Sequence, residues 1–257
     1  MPVFSVIMPA KDRAKLIPEP IKSLINQTFS DFELIIIDDH STDETAEVVK
    51  KFTDPRIKYY PLTDGTGPGA GRDFGIKKAL GKYIVVADSD DINYPDRLEK
   101  TKEKFDDGFD VVYSNVDIDN IETGEKYLRP SQAFDPELIK RVNFIPAPTT
   151  AFKKEAYIEV GGFDKNLMTS EDYDLWLKMT ENNKKFGYID QPLVKMQVTD
   201  HSTTQITHSS ERKKNLRKIR EKHNLNTPNV NKTLKMIINP KLKKLLSTKE
   251  AIIFWFS

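Results

Sequence analysis

Short apolar, β-branched runs alternate with amphipathic stretches from the first residues to Ser114. Phe4-Ser5-Val6-Ile7-Met8, Phe32 to Ile37, Ile57 to Leu62, Tyr83 to Ala87 and Asp110 to Ser114 each read as a strand. The stretches between them read as helices. Pro18 and Pro20 suit the entry to a helix running to about Asn26. Ser41 or Thr42 can cap a helix carrying Ala46, Val48, Val49 and Phe52. Gly65 to Gly71 form a flexible loop that enters a helix through Leu80, and Gly81 ends it. Pro95-Asp96-Arg97-Leu98 opens the next helix, closed by Gly108. Such alternation predicts an α/β fold with a mainly parallel sheet covered on both faces. Ligands of such sheets sit beyond the carboxyl ends of the strands.

From Asn115 the pattern loosens. Asn115 to Pro130 reads as a turn-containing β segment, Phe134 to Asn143 as a short helix, and Thr149 to Phe152 as a strand. Lys154 to Val160 reads as a helix ending at Gly161-Gly162. Ser170 is placed to cap a helix that begins Glu171-Asp172 and carries Leu175, Trp176 and Met179 as an apolar stripe. A last strand spans roughly Tyr188 to Val198. Residues 211–224 and 231–246 are basic and helical in pattern, with breaks near Pro228 and Pro240.

Composition narrows the chemistry. A length of 257 residues suits one large α/β domain with an appendage. The absence of cysteine excludes disulfides, thiolate metal sites and thiol catalysis. Val3 to Met8 reads as a strand starting at once, not as a signal peptide. No apolar run approaches the ~20 residues that span a bilayer, so the expected location is cytoplasmic. The net charge of +1 conceals an asymmetry: residues 211–257 carry 13 Lys/Arg against 3 Asp/Glu, which leaves residues 1–210 net acidic. The expected division is therefore 1–210 and a basic helical appendage, 211–257.

One stretch stands out chemically. The apolar run Tyr83 to Ala87 meets Asp88-Ser89-Asp90-Asp91, three carboxylates within four positions. They repel one another unless a cation or hydrogen-bond donors compensate them. A hard divalent ion bridging to phosphate oxygens would do so. A lone Asp-x-Asp is weak evidence, because loops are rich in Asp. Here the preceding strand and two more polar loops after strands, 9–13 and 38–43, strengthen it. Alternate residues of an extended chain point the same way, so Asp88 and Asp90 can address one ligand.

Five segments, in order and spacing, carry a resemblance. They are Ser5-Val6-Ile7-Met8-Pro9-Ala10, Ile37 to Asp43, Gly69-Ala70-Gly71-Arg72-Asp73-Phe74-Gly75-Ile76, Ala87 to Asp91, and Gly161-Gly162-Phe163-Asp164 followed by Ser170 to Trp176. Over about residues 3–200 the chain resembles the family 2 inverting nucleotide-sugar glycosyltransferases. The resemblance implies a GT-A fold, with a Rossmann-like mixed sheet flanked by helices. It implies hexosyl transfer from a UDP-linked donor to a hydroxyl of a glycan or lipid-linked acceptor, as in polysaccharide biosynthesis. Residues 1–114 would then be the nucleotide-binding half and 115–210 the acceptor half.

The resemblance also implies roles. Pro9, Ala10 and Asp39 would line the nucleoside pocket, and Arg72 would contact the nucleotide. Asp88 would meet the ribose, and Asp90 would hold Mn2+ or Mg2+. Asp172 would be the general base, with Glu171 beside it. Acids in a first helical turn are also ordinary dipole stabilisers, and Trp176 fits a core position on its stripe as well as an acceptor-side support. His201 is either a metal or diphosphate ligand or an exposed loop histidine.

The chain departs from the family pattern at Lys11-Asp12, His40 and Asp73, where an aromatic-Asn pair, Gly and Asn are usual. It lacks the Gln-x-x-Arg-Trp motif of processive synthases, which implies transfer of one sugar per event. Two other readings stand beside this one. A sugar-nucleotide-forming nucleotidyltransferase would want a Gly-rich loop after the first strand, and Pro9 to Arg13 holds no glycine. A catalytically inactive nucleotide-binding scaffold is the second. The basic tail has three readings: an appendage packed on the domain, a peripheral contact with anionic lipid at the inner face of a membrane through Lys/Arg and Phe254-Trp255-Phe256, or a nucleic-acid contact, which ranks last.

Overall fold

The computed structural model describes residues 1–198 and 210–246, apart from Thr66 and Met168. Nine strands among them form one sheet: β1 (Phe4–Ala10), β2 (Phe32–Asp38), β3 (Ile57–Pro61), β4 (Tyr83–Val86), β5 (Ile92–Asn93), β6 (Val111–Asn120), β7 (Lys126–Arg129), β8 (Ala151–Lys153) and β9 (Phe186–Val198). The order is β3-β2-β1-β4-β8-β6-β9-β5, with β7 paired to β6. From β3 to β4 all pairing is parallel, as the strand–helix alternation predicts. Beyond β4 the sheet is mixed: β8 runs antiparallel to both β4 and β6, while β9 lies parallel to β6.

The continuous apolar runs of β1 and β2 are buried on both faces, as parallel strands covered by helices are. The strand alternation divides their side chains between two cores. Ile7, Ile35 and Ile37 pack with Ile76 of α3 (Pro68–Lys78), Ala156 of α6 (Lys154–Glu159) and Leu175 of α7 (Glu171–Glu181). Val6, Leu34 and Ile36 pack with Ile21 of α1 (Pro18–Ile25), Val49 of α2 (Thr45–Lys50) and Leu98 of α4 (Arg97–Asp106). A short helix, α5 (Pro136–Ile139), is capped by the Asp135 carboxylate.

Local details depart from the sequence reading for identifiable reasons. Neither Ser41 nor Thr42 caps α2. Ser41 Oγ accepts from Asp12 N (2.9 Å) and Thr42 N donates to Asp12 Oδ1 (2.7 Å), so both tie the loop after β2 to the loop after β1. Ser170 precedes α7 in a left-handed conformation and makes no side-chain cap. Gly81 does not serve as a left-handed helix stop: a Cβ there would lie 2.6 Å from the Phe4 and Ser5 backbone. It is needed for close approach to β1. Pro240 opens a helix instead of breaking one.

The basic segment folds as α8 (Ser210–Lys222), α9 (Val230–Met236) and α10 (Pro240–Leu246). Leu216, Ile219 and Ile237 are buried in the same core as α7. Asp174 of α7, fully buried, accepts ion pairs from Lys178 and Lys222 (2.8 Å each) and from His223 Nε2 (2.9 Å). His223 Nδ1 meets Glu181 Oε1 at 2.7 Å. No helix of the described residues is long and apolar enough to cross a membrane. The aromatic end at Phe254-Trp255-Phe256 lies outside the described residues.

Burial works against a charge on His223, but its bonds to Asp174 and Glu181 outweigh this and raise its pKa above 6.5. A raised folded pKa means that folding favours the protonated form. The stabilisation is present in full below pH 6.5 and is lost as pH climbs through the raised folded value. Urea midpoints measured across that window are expected to fall with rising pH in the unaltered chain. His223→Asn should remove that fall; an unchanged pH slope in the variant would contradict the assignment.

Candidate active site

The loops after β1, β2 and β4 open at one edge of the sheet, where the parallel strands present their carboxyl ends. Pro9 and Ala10 end β1, and Ala10 O accepts from Asp39 N (2.8 Å). Asp39 is buried, and its Oδ2 accepts from Gly67 N (2.9 Å) at the entrance to α3. The carboxylate expected to face a base thus also fastens the glycine-rich loop to β2.

Arg72, one turn into α3, is 8% exposed. Its Nη2 donates to Asp88 Oδ1 and its Nη1 to Glu171 Oε1, both at 2.7 Å. Burial opposes the charge on Arg72, but Asp88 and Glu171 more than reverse this and hold its pKa above the ordinary value. Gly69 lets Glu171 approach: a Cβ there would sit 3.1 Å from Glu171 Cγ. Burial pushes Glu171 up to about 7; Arg72 pulls it down, and Asp172 adds to the rise. Asp172 is half-buried and accepts from Asn143 Nδ2 (3.0 Å). Trp176 points elsewhere. It is 1% exposed, packed edge-on to Phe152 in the core, and offers no face to an acceptor.

The acidic end of β4 is divided in three. Asp88 goes to Arg72. Asp90 lies 3.5 Å from Arg13 Nη2, and burial followed by repulsion from Asp88 raises its pKa. Asp91 is 3% exposed; one carboxylate oxygen accepts from Gln197 N (3.3 Å) and the other is buried with no hydrogen-bond partner. Burial, then Asp88 and Asp90, push it well above the usual carboxylate range. Beneath the loop Arg97 is buried, bonded to Asn93 and to Val86 O (2.7 Å). Burial lowers it to about 10 against the pull of Asp91 and Asp88.

No group of three metal-ligating side chains exists among the described residues. Oxygen-only donors with an under-compensated charge at Asp90 nevertheless fit a hard cation. Such ions are held by one or two carboxylates, with substrate phosphates and water completing the shell. His201 lies outside the described residues.

Sequence reasoning missed Asn143, Arg97, Arg13 and the Arg72–Glu171 pair. Asp88, Arg72, Glu171 and Asp172 are brought together; Pro9, Ala10 and Asp39 border the same edge.

The model of Glycosyl transferase family 2 matches residues 5–162. The chain belongs to that family. An uncharacterized glycosyltransferase of Methanocaldococcus jannaschii is 30% identical over 213 residues, covering 77% of this chain and 71% of that protein. One of Rickettsia conorii is 35% identical over 210 residues, covering 78% of this chain; the chain spans 34% of that relative's length. Among solved structures, S. aureus TarS 1-349 in complex with UDP-GlcNAc superposes with a TM-score of 0.65 at 24% identity, covering 81% of this chain and 61% of that one. The mannosyltransferase PcManGT from Pyrobaculum calidifontis, in complex with GDP-Man and Mn2+, gives 0.67 at 18%, covering 98% and 70%. These likenesses establish the GT-A fold.

Arg72→Leu would leave Asp88 and Glu171 facing each other uncompensated. We expect a loss of about 3–5 kcal/mol in urea unfolding, the range for breaking a buried pair. A loss below about 1 kcal/mol, the scale of an exposed pair, would refute that role.

Proposed function

We propose that the chain transfers one sugar from a nucleoside diphosphate sugar, UDP-linked, to a hydroxyl of a glycan or lipid-linked acceptor, with inversion. The observation that carries this reading is the Arg72 guanidinium. It joins the carboxylate expected at the donor ribose, Asp88, to the helix that begins Glu171-Asp172. One cation thereby holds the expected donor contact and the helix that carries the candidate base.

In this reading Pro9, Ala10 and Asp39 border the nucleoside. Asp90 would hold Mn2+ or Mg2+, and the ion would supply positive charge to offset that of the departing diphosphate. Asn143 orients the Asp172 carboxylate. Asp172 takes the proton of the acceptor hydroxyl, and that oxygen attacks the anomeric carbon as the bond to the diphosphate breaks. The electron pair of the broken bond leaves with the nucleoside diphosphate. A single displacement needs one base and inverts the centre. Lys213, Lys214, Arg217 and Lys218 are exposed on α8. This supports a peripheral contact with anionic headgroups at the inner face of a membrane.

UDP is expected to raise the melting temperature only with Mn2+ or Mg2+ present, and Asp90→Asn should abolish that metal-dependent shift. No metal-dependent shift with any nucleoside diphosphate would sink the reading. Asp172→Asn should lower transfer by at least about 100-fold and leave the nucleotide-induced shift intact. Near-normal turnover in that variant would reject Asp172 as the base. Nucleotide binding without turnover in the unaltered chain would favour an inactive scaffold.

A further inference from the structure

Arg13 lies in the loop after β1 and Asp90 in the loop after β4, and these two strands are neighbours paired in parallel. The backbone that carries Arg13 is fixed. Asp12 adopts a left-handed conformation (φ 51°), and its Oδ1 accepts from Thr42 N (2.7 Å). Arg13 N donates to Thr45 Oγ1 (2.8 Å) and Ala14 N to Asp43 Oδ2 (3.0 Å). The loop is thus laced to the one after β2, and only the Arg13 side chain is left to move.

That side chain is loosely held. Its Nη1 donates to Lys11 O (3.2 Å) and Asp12 O (3.4 Å), and its Nη2 stands 3.5 Å from Asp90 Oδ2. A charge-assisted hydrogen bond is shorter, about 2.7–2.9 Å. The Arg13 side chain is 34% exposed and that of Asp90 29%. Arg72 is the opposite case: its side chain is 9% exposed and bonded to two carboxylates at 2.7 Å. At this edge Arg72 is locked and Arg13 can be displaced.

Among the described residues, Arg13 is the only cation within ion-pair range of Asp90. A metal ion taking the same carboxylate oxygen would meet the positive charge of the guanidinium, and like charges repel. A nucleoside diphosphate resolves the conflict, because its phosphate oxygens accept a planar guanidinium fork.

We propose that Arg13 is a place-holding cation: it neutralises Asp90 until a divalent ion takes that carboxylate, then turns to the donor diphosphate. Ion and nucleotide therefore strengthen one another's binding, a coupling that works in both directions. This rests on the reading of Asp90 as the ligand of the ion in a nucleotide-sugar transferase.

The test uses the full chain, with Mn2+ binding read from the paramagnetic resonance signal of the free ion and UDP binding from calorimetry. In the unaltered chain saturating UDP should tighten Mn2+ binding about tenfold or more. Arg13→Gln should tighten Mn2+ binding without UDP roughly threefold, yet weaken UDP binding at saturating Mn2+ roughly tenfold. A merely structural role would weaken both, so the opposite signs identify the exchange. Arg13→Lys keeps the charge and loses the fork. Its Mn2+ binding should match the unaltered chain, with an intermediate loss of UDP affinity. Uridine, which has no phosphate, should bind the unaltered chain and Arg13→Gln alike.

Three results would overturn the exchange. One is Mn2+ binding without UDP that is unchanged or weaker in Arg13→Gln. Another is a gain in Mn2+ binding that persists when Asp90→Asn is added, which would make it an effect of net charge. The third is a UDP affinity that Arg13→Gln leaves unchanged or lowers only as much as uridine's. If the unaltered chain binds neither Mn2+ nor UDP, the transferase reading itself fails; with that binding intact, the variant results decide this inference alone.

Discussion

A buried guanidinium between two carboxylates is the interaction on which this site depends. Arg72 cannot shed its charge, so burial forces it to find anions. It finds Asp88 from the end of β4 and Glu171 from the start of α7, each at 2.7 Å. Those acids come from opposite halves of the chain. The edge where β1, β2 and β4 end is thereby joined to the helix carrying Asp172, and each carboxylate would be costly to bury without the arginine. The pairing is electrostatic in origin and geometric in consequence: it ties the end of β4 to the start of α7.

The same economy of charge explains the rest of the acidic loop. Asp88 is paired, Asp90 is weakly compensated by Arg13, and Asp91 is pushed toward its neutral form by burial. Three equivalent carboxylates in sequence become three different ones in space. Only Asp90 keeps a poorly matched charge while remaining partly open, which is the condition for sharing a cation with a ligand. Asp91 is a buried tie to Gln197 of β9.

Much of this was legible in the chain because it is local. Apolar β-branched runs ending in Asp mark the strand ends, and glycine-rich residues before Arg72 mark a helix entry facing them. The Arg72–Glu171 pair was not legible, because its members are 99 positions apart and nothing in either local pattern names the other. Asn143 was hidden for the same reason. Ser170 shows a different limit. Its residue type favours a cap, but it stands in a left-handed conformation where the hydroxyl makes no cap. Gly81 looks like a helix stop because glycine commonly is one; tertiary contact with β1 decides its role.

The basic C-terminal segment shows how a charge run can carry two kinds of information. Its composition suggests a solvated surface, and Lys213, Lys214 and Lys218 are indeed exposed. Yet the same helix turns Leu216 and Ile219 into the core and closes the α7 network through Lys222 and His223. Asp174 is fully buried and would be unaffordable without these partners. Since Asp172 and Asp174 share α7, anything that loosens α8 also loosens the helix that carries Asp172. The basic segment is therefore part of what holds α7 in place.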